Sequence, residues 1–225
     1  MRPHPWCWPL ALVFAVHWAD AAEEWSLIWS DEFSQSTVNS SKWLFEEGNG
    51  CSFNICGWGN AEKQLYQQES ATVAESALQI TASVAIVQGM QRFYSSRMRS
   101  ALARRAPARV AARVKVPSVY GLWPAVWMLP SNIYPAPWPQ TGEIDILEQD
   151  GSTPNVSVHS LHYEGSNYEA KWHGYTSEVA TVDPIGEFHV YSVEYSDNYI
   201  TMSIDDTVPQ APSIAALGWL RPSVY

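Results

Sequence analysis

Charge is scarce in this sequence: only 16% of its 225 residues are Asp, Glu, Lys or Arg. Cations are the scarcer sign, with 13 Lys and Arg against 23 Asp and Glu, a formal net charge of -10 at pH 7. The average field of such a chain repels a polyanion and leaves a neutral polymer unaffected, so no nucleic-acid partner is expected. Long apolar runs are missing beyond the first 22 residues; none approaches the roughly 20 residues needed to cross a bilayer, so no membrane span is expected. Helix signals are nearly absent. There is no internal repeat, low-complexity tract or interdomain linker, which leaves one domain as the default at this length. What is abundant is aromatic surface: 12 Trp and 11 Tyr in a chain that is 46% hydrophobic exceed what a core of this size needs. That excess points to a binding cleft.

The first residues read as an export signal, with Arg2 as the positive end, Leu10 to Val16 as the apolar stretch and Ala19-Asp20-Ala21 as a small-x-small cleavage site. Residues 1–21 are therefore expected to be removed, leaving 22–225 as a single secreted, soluble domain, expected to be a monomer. A buried N-terminal strand is the competing reading. Cleavage removes Cys7 and leaves Cys51 and Cys56, an even pair for which a local disulfide is expected in an oxidising compartment, with two free thiols as the alternative. No second Cys or His pair accompanies them to make a metal site. Two glycosylation sequons remain, at Asn39-Ser40-Ser41 and Asn155-Val156-Ser157.

Several segments alternate with a period of two. Leu78 to Val84 reads as a half-buried strand, and so does the run in which Val110, Ala112, Val114 and Val116 alternate with Ala111, Arg113 and Lys115. Tyr191, Val193 and Tyr195, a turn at Ser196-Asp197-Asn198, and Ile200, Met202 and Ile204 together read as a hairpin. The one helix candidate, Ala101 to Ala112, is interrupted by Pro107, so strand ranks above helix there. Short strands between Gly, Pro, Asn and Ser turns predict an all-β, antiparallel two-sheet sandwich. Pro130 to Pro139 reads as a long surface loop.

The chemistry sits in Gly142-Glu143-Ile144-Asp145-Ile146-Leu147-Glu148. Glu143 and Asp145, two apart on a strand, share one face, and Ile144 and Ile146 share the other. Strict alternation would place the third acid at 147, which is Leu, so one extra residue near Ile146-Leu147, a β-bulge, is needed to bring Glu148 round. Three carboxylates on one face repel and raise at least one pKa, a cost that packing alone does not repay. A retaining glycosidase has a use for them: a carboxylate nucleophile and a protonated carboxyl about 5–5.5 Å apart. Asp145 between them is expected to share a proton or hydrogen bond, keeping Glu143 ionised and Glu148 protonated. A calcium site and a solvated acidic strand are the alternatives, although calcium takes about 6–8 oxygens and usually a Gly-containing loop. Upstream, Trp123 and Trp127 are four apart and so expected on one strand face; Trp138 adds a third indole beside the acids. Clustered there, they are expected to line a sugar cleft.

Taken together, Gly121-Leu-Trp-Pro-Ala-Val-Trp-Met-Leu-Pro130, Trp138-Pro139 and Gly142 to Glu148 resemble the active-site region of glycoside hydrolase family 16, in its laminarinase-like branch. Further matching segments lie between about residues 25 and 206, among them Trp58-Gly59-Asn60-Ala61-Glu62, Ser96-Arg97-Met98-Arg99 and Leu161-His162-Tyr163. The resemblance implies a concanavalin-like jelly roll with a concave sugar-binding sheet and a retaining mechanism. Glu143 would be the nucleophile, Asp145 the assisting acid and Glu148 the general acid/base. Asn60, Arg97, Trp123, Trp127 and His162 fall at positions implied to contact sugar, and Trp138 joins them by its place before the motif. The implied substrate is a β-1,3-glucan, with mixed β-1,3/1,4 linkage as an option. No cofactor is required, and a structural calcium is the one ion the family makes an option. A glucan-binding protein without catalysis and a transglycosylase are the alternatives. The sequence departs from the family's pattern at Ala106-Pro107-Ala108, and after Asp205-Asp206 it no longer resembles the family, which predicts a domain shortened at its C-terminus.

Overall fold

The computed structural model describes residues 25–131, 138–153, 155–164, 170–178, 187–196 and 199–207, with 170–178 described by backbone alone. The chain divides into two compact units, 1–32 and 33–225. In the first, residues 25–32 carry no regular secondary structure. The expected export signal, its cleavage site and the expected departure after Asp206 lie outside the described residues or run into residues 208–225, which also lie outside them.

All regular elements belong to the second unit. Its strands begin with β1 (Trp43–Phe45), β2 (Gln64–Tyr66), β3 (Ala71–Ala74), β4 (Ala77–Ile80), β5 (Ser83–Val87), β6 (Met90–Ser95) and β7 (Met98–Ser100). They continue with β8 (Ala108–Val114), β9 (Ala125–Met128), β10 (Glu143–Glu148), β11 (Val156–Glu164), β12 (Ala170–Glu178), β13 (His189–Tyr195) and β14 (Ile200–Ile204). Three short 3-10 turns are the only helical pieces among the described residues. The all-β expectation holds.

Two antiparallel sheets, ordered β12-β11-β10-β9 and β14-β13-β8, enclose the core. The second sheet follows from its alternation. Val193 stands opposite Met202 on one side and Val110 on the other, and Tyr191 opposite Ile204 and Ala112, so every inward residue meets another inward residue. Tyr191, Val193, Ile200 and Met202 are at most 1% exposed. Each such side chain contributes about 1.5–3 kcal/mol through burial. From the first sheet, Ile144, Ile146, Leu147 and Leu161 fill the same core. On β8, exposed Arg109, Ala111 and Arg113 alternate with half-buried Val110, Ala112 and Val114, the strand reading rather than the helical one. The predicted hairpin pairs Tyr195 with Ile200; its turn residues 197 and 198 lie outside the described residues.

Two expectations need correction. The alternation from Leu78 to Val84 is not one strand: Thr81 leaves the ladder to donate its N–H to the Ser70 carbonyl at 2.8 Å, so β4 ends at Ile80 and pairs with β3, whereas β5 starts at Ser83 and pairs with β6. Nor is it half-buried, since every residue of β5 is exposed. The pairing is also not wholly antiparallel. β2 runs parallel to β6, which the long intervening stretch through β3, β4 and β5 permits.

Candidate active site

β10 lies between β9 and β11, and its register carries the predicted bulge. Against β9, Asp145 faces Trp127 and Leu147 faces Val126, so two steps on β10 match one on its neighbour. Against β11, Asp145 faces Ser160 and Glu148 faces Val158, three steps against two. The extra residue turns Ile146 and Leu147 both into the core, each 0% exposed, and returns Glu148 to the side that Asp145 occupies.

The three acids are held by neighbours from different segments. Trp138 donates its indole N–H to Glu143 Oε2 at 2.7 Å, and Trp123 donates to Glu148 Oε1 at 2.9 Å. Ser160, on β11, donates its hydroxyl to the other oxygen of Glu148 at 3.3 Å. His162, directly across from Glu143, places Nε2 3.2 Å from Asp145 Oδ2, and its ring tilts against Trp138 with centroids 5.6 Å apart. Trp123 and Trp138 are 56% and 51% exposed, so the indoles that bind the glutamates still present open faces to an incoming ligand.

Electrostatics separate these carboxyls from ordinary ones. Burial, and then the charge of Asp145, push Glu143 up to about 7; the Trp138 N–H and His162 oppose that rise. Glu148 is raised by the same two causes, against the N–H of Trp123 and the hydroxyl of Ser160. Contact with Asp145 raises His162 above the usual imidazole range. The expectation that Asp145 keeps Glu143 ionised needs amending. A neighbouring negative charge favours the protonated form, and the groups that favour an ionised Glu143 are Trp138 and His162.

The other predicted residues distribute unevenly. Trp127 faces Asp145 across the ladder, whereas Trp123 precedes β9 rather than lying on it, so the two do not share a strand face as expected; Trp123 reaches the site through its N–H. Arg97 stacks over Trp127 at 4.7 Å and over Trp58 at 4.3 Å, and Glu46 holds its Nε at 2.7 Å. With its side chain 16% exposed, Arg97 is wedged between two indoles beside the site. Asn60 is exposed at the end of the Cys56–Gly59 turn and makes no side-chain hydrogen bond among the described residues. Cys51 and Cys56 form the expected disulfide. It closes the loop that presents Trp58, a loop whose Gly50, at φ 81°, has no room for a Cβ against the Ile55 carbonyl. Of the sequon residues, Asn155 is exposed, and half-buried Asn39 accepts from the Ser41 backbone and hydroxyl. Sequence reasoning missed Glu46, Trp58, Ser160 and His159 as parts of the site or its support.

Glu143, Asp145 and His162 also form the only group of three or more metal-ligating side chains found among the described residues, with ligand atoms within 4.8 Å of one another. Two carboxylates and an imidazole are a poor set for calcium, which takes oxygen ligands. No helix among the described residues is long and apolar enough to cross a membrane.

The inner strand of the sandwich thus turns two glutamates and an aspartate to one side, each glutamate on an indole N–H. The family model for glycosyl hydrolases family 16 matches residues 60–212, and the chain belongs to that family. The family match runs past Asp206, where the resemblance was expected to end. The chain is 33% identical over 197 residues to a beta-glucanase of Rhodothermus marinus, covering 84% of this chain and 66% of that protein. It is 33% identical to glucan endo-1,3-beta-glucosidase A1 of Niallia circulans over 80% of this chain and 28% of that protein, so it spans less than two thirds of either relative. The endo-beta-1,3-glucanase structure from Pyrococcus furiosus superposes with a TM-score of 0.77 at 33% identity, over 89% of this chain and 80% of that one.

Proposed function

We propose that this protein is a secreted, retaining endo-glycosidase that hydrolyses β-1,3-glucan. The observation that carries the reading is the bulged β10, which returns Glu148 to the side of Glu143 and Asp145 and gives each glutamate an indole donor. Glu143 attacks the anomeric carbon while Glu148 protonates the departing glycosidic oxygen; Glu148 then takes a proton from the water that releases the sugar from Glu143. Asp145, with His162 Nε2 3.2 Å away, is the assisting acid beside Glu143. The exposed faces of Trp123 and Trp138 stack on sugar rings. The substrate class follows from the relatives named above and the mixed linkage remains an option for the same cleft. Retention of both glutamates argues against a glucan-binding protein without catalysis. Export is supported by the signal-like N-terminus and by the Cys51–Cys56 bridge, which persists in oxidising compartments.

The test is reducing-sugar release from laminarin, with carboxymethyl-cellulose as the wrong linkage and Glu143→Gln as control. Release from laminarin alone, lost in the control, is expected. A folded protein that binds laminarin without cutting it would replace this reading with a binding protein.

A further inference from the structure

His159 is 0% exposed and sits on β11 between Val158 and Ser160. Its even-numbered neighbours serve the acids: Ser160 bonds Glu148 and His162 faces Asp145. By alternation His159 points the other way, to the side where Leu161 joins Ile144, Ile146 and Leu147 in the core. A polar ring there costs desolvation unless it is bonded. Its partner is specific: Nδ1 lies 2.7 Å from the carbonyl oxygen of Ile146, the extra residue of the bulge. A bulge takes its extra residue out of the ladder. A carbonyl only accepts, so Nδ1 carries the proton, and His159 supplies the bulge with a donor from the opposite side of the strand to the acids.

We propose that His159 is a positioning residue which fixes the bulge of β10 from the core side and so sets where Glu148 stands relative to Asp145 and Glu143. The inference rests on the glycosidase reading above. Only Leu147 separates the residue of the held carbonyl from Glu148, and rotation of the Ile146 peptide would carry the carboxyl with it. Misplacement of a reacting group by about 1 Å is enough to cost about 100-fold in rate.

The experiment compares His159→Phe, which keeps a ring and removes both nitrogens, with His159→Asn, which keeps a donor near the Nδ1 position. Laminarin kinetics across pH are combined with carbon-13 NMR titration of the Glu143 and Glu148 carboxyls. For His159→Phe, kcat falls about 10- to 100-fold with KM within about twofold, and the Glu148 titration moves by about half a pH unit or more. His159→Asn recovers most of both. His159→Phe losing only thermal stability, with kcat, pH profile and carboxyl titrations those of the wild type, overturns the proposal, because a purely structural role moves none of them. If the wild type cuts no glucan the glycosidase reading fails, and the carboxyl titrations still decide whether His159 sets the geometry of β10.

Discussion

β10 and β5 are similar on paper: short, uncapped by helix, and rich in Ile, Leu and Val. Ile146 on β10 is 0% exposed, while Ile86 on β5 is 67% exposed. The difference lies in their neighbours. β10 has a strand on each side and contributes to the core shared with β13, whereas β5 is the outer strand of the β2-β6-β5 sheet, with only β6 beside it. Alternation therefore reports that a segment is a strand; the burial it implies depends on how many partners the topology supplies. The chain places its most repulsive residues on the better-supported strand, so the cost of crowding three acids is borne where apolar burial is greatest.

That contrast can be sharpened by substitution. The largest effect is expected at Glu143→Gln, which leaves a folded protein with kcat on laminarin lowered about 1000-fold or more; a polar substitution on β5, Ile86→Thr, leaves kcat unchanged in the same assay. Next is Ile146→Ala, expected to cost about 2–5 kcal/mol in urea unfolding, because it empties a site beneath the bulge that cannot collapse freely. Trp138→Phe keeps the ring and removes the donor to Glu143. Its loss raises the Glu143 carboxyl further, so the acid limb of the kcat/KM profile moves to higher pH and the rate near pH 6 falls about 10-fold.

A smaller effect concerns pH and stability. The folded state holds the Glu143 proton up to about 7, well above the carboxyl's ordinary value of 4.5, and it binds the His162 proton more tightly than the unfolded chain does. Both groups contribute stability at low pH that is lost as pH rises through their folded values. Thermal unfolding of the wild type should therefore shift to lower temperature between pH 5 and pH 8. Glu143→Gln should lessen that fall and melt about 2–6 °C above the wild type at pH 8. The smallest effect is expected at Ile86→Ala on β5, about 0.5 kcal/mol or less. A loss there as large as at Ile146 would erase the contrast between the strands.

What could be read from the sequence follows the same division. The bulge was legible because Leu147 occupies the position where alternation demands an acid, a local signal. The β8 strand and the β13–β14 hairpin were legible from period-two patterning reinforced by Pro107 and by the turn residues. Other features depend on register and contacts between distant segments. Arg97 and Glu46 are 51 residues apart, and the donor from His159 to Ile146 appears only once β11 is set against β10. Trp123 and Trp138 were read as flat surfaces for sugar; that their N–H groups bind the two glutamates needs the folded loops. Which neighbours favour an ionised Glu143 also needs the fold, because strand spacing reveals that charges are near one another but not that the Trp138 N–H and His162 lie against that carboxyl.

The central claim, that Glu143 and Glu148 form the nucleophile and acid/base pair of a retaining glycosidase, is tested most directly by following the anomeric protons of the first laminarin products by NMR. The β-anomer is expected to appear first and the α-anomer only later, by mutarotation. Initial release of the α-anomer, which requires water rather than Glu143 as the attacking group, would contradict it.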